Sequence, residues 1–124
     1  MTISEAIEIT DRLVPNMYSD TDKVRWLMEL DRLIYIDLIE THLGGDKVEA
    51  PDYTAADMNR TLIIPEPYAE DAYVNFLSAK IALNNGESDK YNSAMTLYND
   101  GYTRYAKAYN EKHRPKGVWP YFRF

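Results

Sequence analysis

Residues 88–113 read SDKYNSAMTLYNDGYTRYAKAYNEKH, and their spacing decides the fold. Tyr91, Met95, Tyr98, Tyr102, Tyr105 and Tyr109 recur in alternating steps of four and three. Heptad spacing of that kind lays one aromatic seam along a single helix. At 1.5 Å per residue the predicted helix is ~36 Å long. The turn signal Asn85-Gly86 precedes it. Upstream, Pro67 opens a shorter predicted helix that reaches about Asn84, with Ala72, Phe76, Ala79 and Leu83 on one seam. Tyr73, Leu77 and Ile81 lie beside that seam. A tight turn makes the two helices antiparallel neighbours. The longer is expected to overhang the start of the shorter, leaving Tyr105 and Tyr109 uncovered as interface residues. Tyr91 and Tyr98, nearer the turn, are expected in the core.

Two further helices are predicted nearer the N-terminus. Thr2 and Glu5 form a T-x-x-E capping box. Ile3, Ala6, Ile7, Thr10, Leu13 and Val14 then keep helical spacing until Pro15 stops them. A second helix is expected from Asp20 to His42, capped by Ser19. Val24, Leu27, Leu30, Ile34 and Leu38 form its stripe, widened by Met28, Tyr35 and Ile39. A stripe that wide packs against two neighbours. Between these pairs of helices, residues 45–66 show no helical stripe. So long a connection is often functional. It holds one β-prone run, Thr61-Leu62-Ile63-Ile64, closed by Pro65. Leu62, Ile63 and Ile64 are therefore candidates for strand pairing with a neighbouring copy, in a loop expected to be mobile until assembly. The fold class is all-α: a compact bundle of about four helices over residues 1–113, one long irregular loop, and a non-helical tail over 114–124.

At 124 residues the chain suffices for one domain, and no cysteine is available for a disulfide or a thiolate metal site. The first residues lack the basic start and apolar run of a signal peptide, and no apolar stretch is long enough to span a membrane. The expected location is the cytoplasm, without membrane association. The net charge of −6 is uneven. Residues 1–103 hold 8 basic and 19 acidic side chains, net −11, whereas residues 104–124 hold 6 and 1, net +5. An acidic body with a basic end favours head-to-tail attraction between copies or docking on an acidic partner.

Catalytic signatures are missing. His42 and His113, the two histidines, are expected in the last turns of different helices, where a cation suits the dipole. Neither has a metal-ligand neighbour at helical spacing. There is no Gly-rich phosphate loop, nucleophile elbow or cysteine nucleophile. Glu5, Glu8, Glu29, Asp31, Asp37 and Glu40 are expected mainly on solvated helical faces. The reading is of a non-enzyme without cofactor or metal. Function is sought instead in the aromatics, for there are 11 tyrosines against 3 phenylalanines. The tail adds Trp119, Tyr121, Phe122 and Phe124 to Arg114, Lys116 and Arg123. Aromatics with Arg make binding hot spots. The tail is thus a candidate for docking on a protein, with a plug over its own bundle or stacking on single-stranded nucleic acid as alternatives.

The order of these features resembles the small head–tail connector (adaptor, or head-completion) proteins of tailed bacteriophages and Gram-positive prophages. The resemblance is carried by Arg25-Trp26-Leu27-Met28-Glu29-Leu30-Asp31 with Ile34-Tyr35, and by Leu62-Ile63-Ile64-Pro65-Glu66-Pro67-Tyr68. Asn85-Gly86-Glu87 with Tyr91-Asn92-Ser93-Ala94-Met95 and the Tyr-rich helix completes it. It spans residues 1 to about 113. It implies a helical subunit that forms a homo-oligomeric ring under the portal protein, at the virion neck. Such a ring extends the channel through which DNA passes without sequence-specific binding, and receives a stopper or tail-completion protein. It brings no catalytic residues. The alternative is a regulatory or adaptor protein of a prophage or host that binds a protein or nucleic acid through its basic aromatic tail.

Overall fold

In the computed structural model the described residues are 1–39 and 50–113, with the backbone alone at 42–43 and 114–115. Four helices form a compact bundle: α1 (Ile3–Leu13), α2 (Asp20–Ile34), α3 (Ala69–Asn84) and α4 (Ser88–Lys112). A π-helical turn, Tyr35–Ile39, continues α2. A two-residue antiparallel pair joins β1 (His42–Leu43) to β2 (Arg114–Pro115).

The termini of the first two helices follow their caps. In α1 the Glu5 amide donates to Thr2 Oγ1 at 3.2 Å and the Thr2 amide donates to Glu5 Oε1 at 3.0 Å, the reciprocal capping box. That contact holds the Glu5 carboxyl below its ordinary pKa. Ser19 caps α2 by accepting from the Asp22 amide at 3.2 Å. All five residues of the expected α2 stripe, from Val24 to Leu38, are buried. They face both α1 and α3, as a wide stripe requires. A buried Lys23 reaches back from α2 to Asp11 of α1 at 2.7 Å and ties the two helices together.

The hairpin of α3 and α4 dominates the packing. Its turn uses Gly86 at φ 74°, a left-handed conformation that glycine enters without strain. Further along, α4 approaches α3 through Gly101. A Cβ placed there would lie 3.0 Å from Asp71 Cβ and 3.4 Å from the Ala72 amide nitrogen. The two backbones come close because that position has no side chain.

Three expectations about this architecture are corrected. First, α2 does not run helically to His42: the α-helix ends at Ile34, and His42 lies in β1. Ile34-Tyr35-Ile36 is a run of β-branched and aromatic residues, weak in helix propensity. Second, α4 outruns α3 (25 residues against 16), but the overhang is covered. Tyr105 is 3% exposed and Tyr109 4%, and both belong to the main core. Tyr68, just before α3, lies 6.0 Å ring to ring from Tyr105 and closes that end. Tyr91 and Tyr98, near the hairpin turn, are only half-buried, so burial along the seam runs opposite to the expected order.

Third, the described part of the long loop is tied to the bundle. The Leu62 amide donates to the Met1 carbonyl at 2.9 Å, Ile3 N to Arg60 O at 3.0 Å, and Ser4 N to Met58 O at 2.8 Å. Thr61 bridges Thr2 in antiparallel fashion. The β-prone run therefore pairs with the chain's own first residues. Leu62 at 3% exposure and Ile64 at 0% are core, and Ile63 is half-buried.

Candidate functional site

Two features stand out: one sealed polar cluster and one open apolar groove.

The cluster is centred on Asp31, which is fully buried. Asp31 sits four residues after Leu27 and three before Ile34, so the α2 helix turns it into the core with its apolar stripe. This corrects its expected place on a solvated face. Three donors meet its carboxylate. Tyr53 OH donates to Oδ2 at 2.6 Å, Tyr73 OH to Oδ1 at 2.5 Å, and the Ile63 amide to Oδ2 at 3.1 Å. The Tyr73 hydroxyl in turn accepts from the Ile64 amide at 2.8 Å. Burial pushes the Asp31 carboxyl above its usual pKa range, while the bonds from Tyr53, Tyr73 and Ile63 pull the other way. Burial beside that carboxylate also raises both phenols. The Arg60 guanidinium stacks 4.8 Å from the Tyr53 ring centre.

A buried acid with a raised pKa is a familiar catalytic signature. Here it is enclosed instead. Asp31 and Tyr73 are at 0% exposure and Tyr53 at 6%, so a substrate has no approach. The cluster secures the loop to α2 and α3. Among the described residues no group of three or more His, Asp or Glu is placed to hold a metal ion, and no helix is long and apolar enough to cross a membrane.

The groove lies between the C-terminal half of α3 and the N-terminal half of α4, with the end of α1 as its third wall. Its volume is about 600 Å³. Ile81 and Ala82 from α3 and Ala94 from α4 line its buried part. Leu13, 63% exposed, and Leu97, 56% exposed, are open to solvent along it. Single exposed apolar residues are ordinary, but two bordering one concavity form a patch. Glu87 and Asp89 give the groove acidic lining residues, with Lys90 paired to Glu87 at 2.7 Å. On the outer side of α2 and its π-helical turn, Leu33 and Ile36 are also more than half exposed.

Of the residues expected at a protein interface, Tyr105, Tyr109, Leu62 and Ile64 are core, and Ile63 lends its amide to Asp31. Arg114 is placed by its backbone in β2. Lys116, Trp119, Tyr121 and Phe122 lie outside the described residues, as does Glu40. The groove was missed because its walls come from three helices. Its one signal in the sequence is Leu97, an apolar residue one position off the tyrosine seam.

No family model, curated protein or solved structure matches the chain.

Proposed function

We propose that this chain is a non-enzymatic structural subunit of the head–tail junction of a tailed bacteriophage or prophage. In this reading it assembles as a ring on the portal protein, around the DNA channel, and presents a platform to a stopper or tail-completion protein. The observation that carries the protein-binding part is a contrast in exposure. The buried polar groups around Asp31 are sealed and serve the fold, while Leu13, Leu97, Leu33 and Ile36 stand open on the surface. A surface of that kind is suited to docking on protein.

The connector part draws on the resemblance. Two of the sequence segments that carry the resemblance meet directly, since Asp31 of the first accepts from the Ile63 amide of the second. The uneven charge, −11 over residues 1–103 and +5 over 104–124, suits oriented contact between copies. An acidic body also suits a channel through which DNA slides without sticking.

The test is to combine the purified protein with the portal protein encoded nearest to it and to image the product by electron microscopy. A ring on the portal's tail-side face is the expected result. Absence of binding, with tight binding of the protein to single-stranded oligonucleotides instead, would replace this reading with the nucleic-acid adaptor.

A further inference from the structure

We infer that the α3–α4 groove is the receptor for the C-terminal aromatic tail of a second copy, with Trp119 as the seated residue. The contact deepens the ring reading above and rests on it for its biological setting, but it is testable on the protein alone.

The groove is concave, bordered by the exposed Leu13 and Leu97, and large enough for an indole. Its walls carry small side chains, Ser78, Ala82, Ser93 and Ala94, which leave depth between the helices. A flat, rigid aromatic ring fills such a slot with little loss of conformational freedom. Residues 116–124 supply it: Lys-Gly-Val-Trp-Pro-Tyr-Phe-Arg-Phe, with two basic side chains and no acidic one. The groove offers Glu87 and Asp89 opposite that charge; Lys90 also lines it, paired to Glu87, which leaves the lining with a net charge of −1.

Reach decides between a copy's own tail and a neighbour's. Seven residue-to-residue steps separate Lys112, the last of α4, from Trp119. They span at most about 25 Å when fully extended. The middle of the groove, at Ser93 and Ala94, lies eighteen to nineteen residues back along α4. That is about 28 Å of helix. The near edge of a copy's own groove, at Leu97, is about 22 Å back from Lys112. Trp119 therefore approaches it only with a fully extended chain laid straight back along α4 and does not bring its backbone to the middle, and Arg114–Pro115 is instead held against β1. A neighbouring copy has no such limit. One tail in the next groove is a heterologous contact, which closes into a ring when the rotation between copies permits.

The experiment is sedimentation of the full chain from micromolar to millimolar concentration, at low and high salt, with melting curves on each protein. Trp119→Ala removes the seated residue. Ser93→Trp fills the groove from an exposed position, and Leu97→Glu is a second groove variant should the first fold poorly. Each change is expected to weaken self-association by about thirty-fold or more without altering the melting temperature of the monomer. Mixing the tail variant with a groove variant should restore association, limited to one-to-one pairs. Each pair retains one intact tail and one intact groove. High salt should weaken the wild-type contact.

Three results would overturn the inference. One is a wild-type chain that stays monomeric at millimolar concentration. Another is a Trp119→Ala protein that associates as tightly as wild type. The third is a monomeric Trp119→Ala protein that melts several degrees lower, which would place Trp119 in its own core. None of these touches portal binding, which the imaging assay tests separately.

Discussion

Tyr73 OH donates to Asp31 Oδ1 at 2.5 Å while accepting from the Ile64 amide at 2.8 Å. One hydroxyl thus links α2, α3 and the last part of the loop. Removing the carboxylate leaves two phenols and a backbone amide in the core without their acceptor. Asp31→Ala is expected to destabilise the protein by about 3–5 kcal/mol, since each buried donor left without its acceptor costs about 1–3 kcal/mol. Tyr53→Phe removes one donor and should lower stability by about 1–2 kcal/mol. Denaturant melts check both. An Asp31→Ala protein as stable as Tyr53→Phe would mean that the core relaxes around the lost acceptor.

The pH dependence of the same group has a definite sign. The native Asp31 pKa is raised, chiefly by burial, so between the unfolded and native values the folded state holds more protons. Stability from this group therefore increases as pH falls through that window. Glu5, Asp57 and Glu87 have lowered pKa values and act the opposite way, losing their contribution at acid pH. They are common to wild type and Asp31→Asn and cancel in the difference. Wild type should therefore gain stability relative to Asp31→Asn as pH falls from 7 toward 4. A relative loss would show that the three hydrogen bonds outweigh desolvation.

At Gly101 two effects compete. Alanine in mid-helix gains about 1 kcal/mol over glycine. Against this, its methyl would sit 3.0 Å from Asp71 Cβ and 3.3 Å from the Asp71 carbonyl carbon. Backbone atoms do not yield as a side-chain tip does, and overpacking costs about 1–3 kcal/mol. Gly101→Ala should lower the melting temperature despite its better propensity. A rise would show that α3 and α4 can part without penalty.

A buried and an exposed position of α4 should respond differently. Tyr105 is 3% exposed and sits against Tyr68, so Tyr105→Ala is expected to lose about 3–5 kcal/mol, as buried aromatic truncations do. Leu97, 56% exposed, should tolerate Ser with a change of no more than about 0.5 kcal/mol in the monomer. Thermal melts of dilute protein compare them. Equal losses would contradict the order of burial along the helix.

The four helices were legible because their signals are local. The Thr2–Glu5 box, the Ser19 cap, the Asn85-Gly86 turn and the apolar spacing of α1 and α2 each act within a few residues. Capping and periodicity depend on neighbours in sequence, so the chain alone determined the number and order of these elements and their approximate ends, except the C-terminus of α2, which falls at Ile34 and not at His42. The position of Asp31 was legible in part, since Leu27 and Ile34 place it on the buried stripe. Its acidity argued for solvent, and nothing nearby in sequence supplied donors.

Tertiary structure decided what depends on distant partners. The donors to Asp31 come from 22, 32 and 42 residues away. The β-prone run found its partner sixty residues earlier, at Met1 and Thr2, and so became core instead of a free edge. At the end that helix lengths alone left open, Tyr68 packs on Tyr105, and Tyr109 packs between Tyr105 and His113, and both tyrosines are buried. The groove exists only where α1, α3 and α4 converge. In each case the sequence carries the interacting groups, but only the folded chain brings them within reach. Hydrogen bonds and packing act over a few ångströms, whatever the distance along the chain.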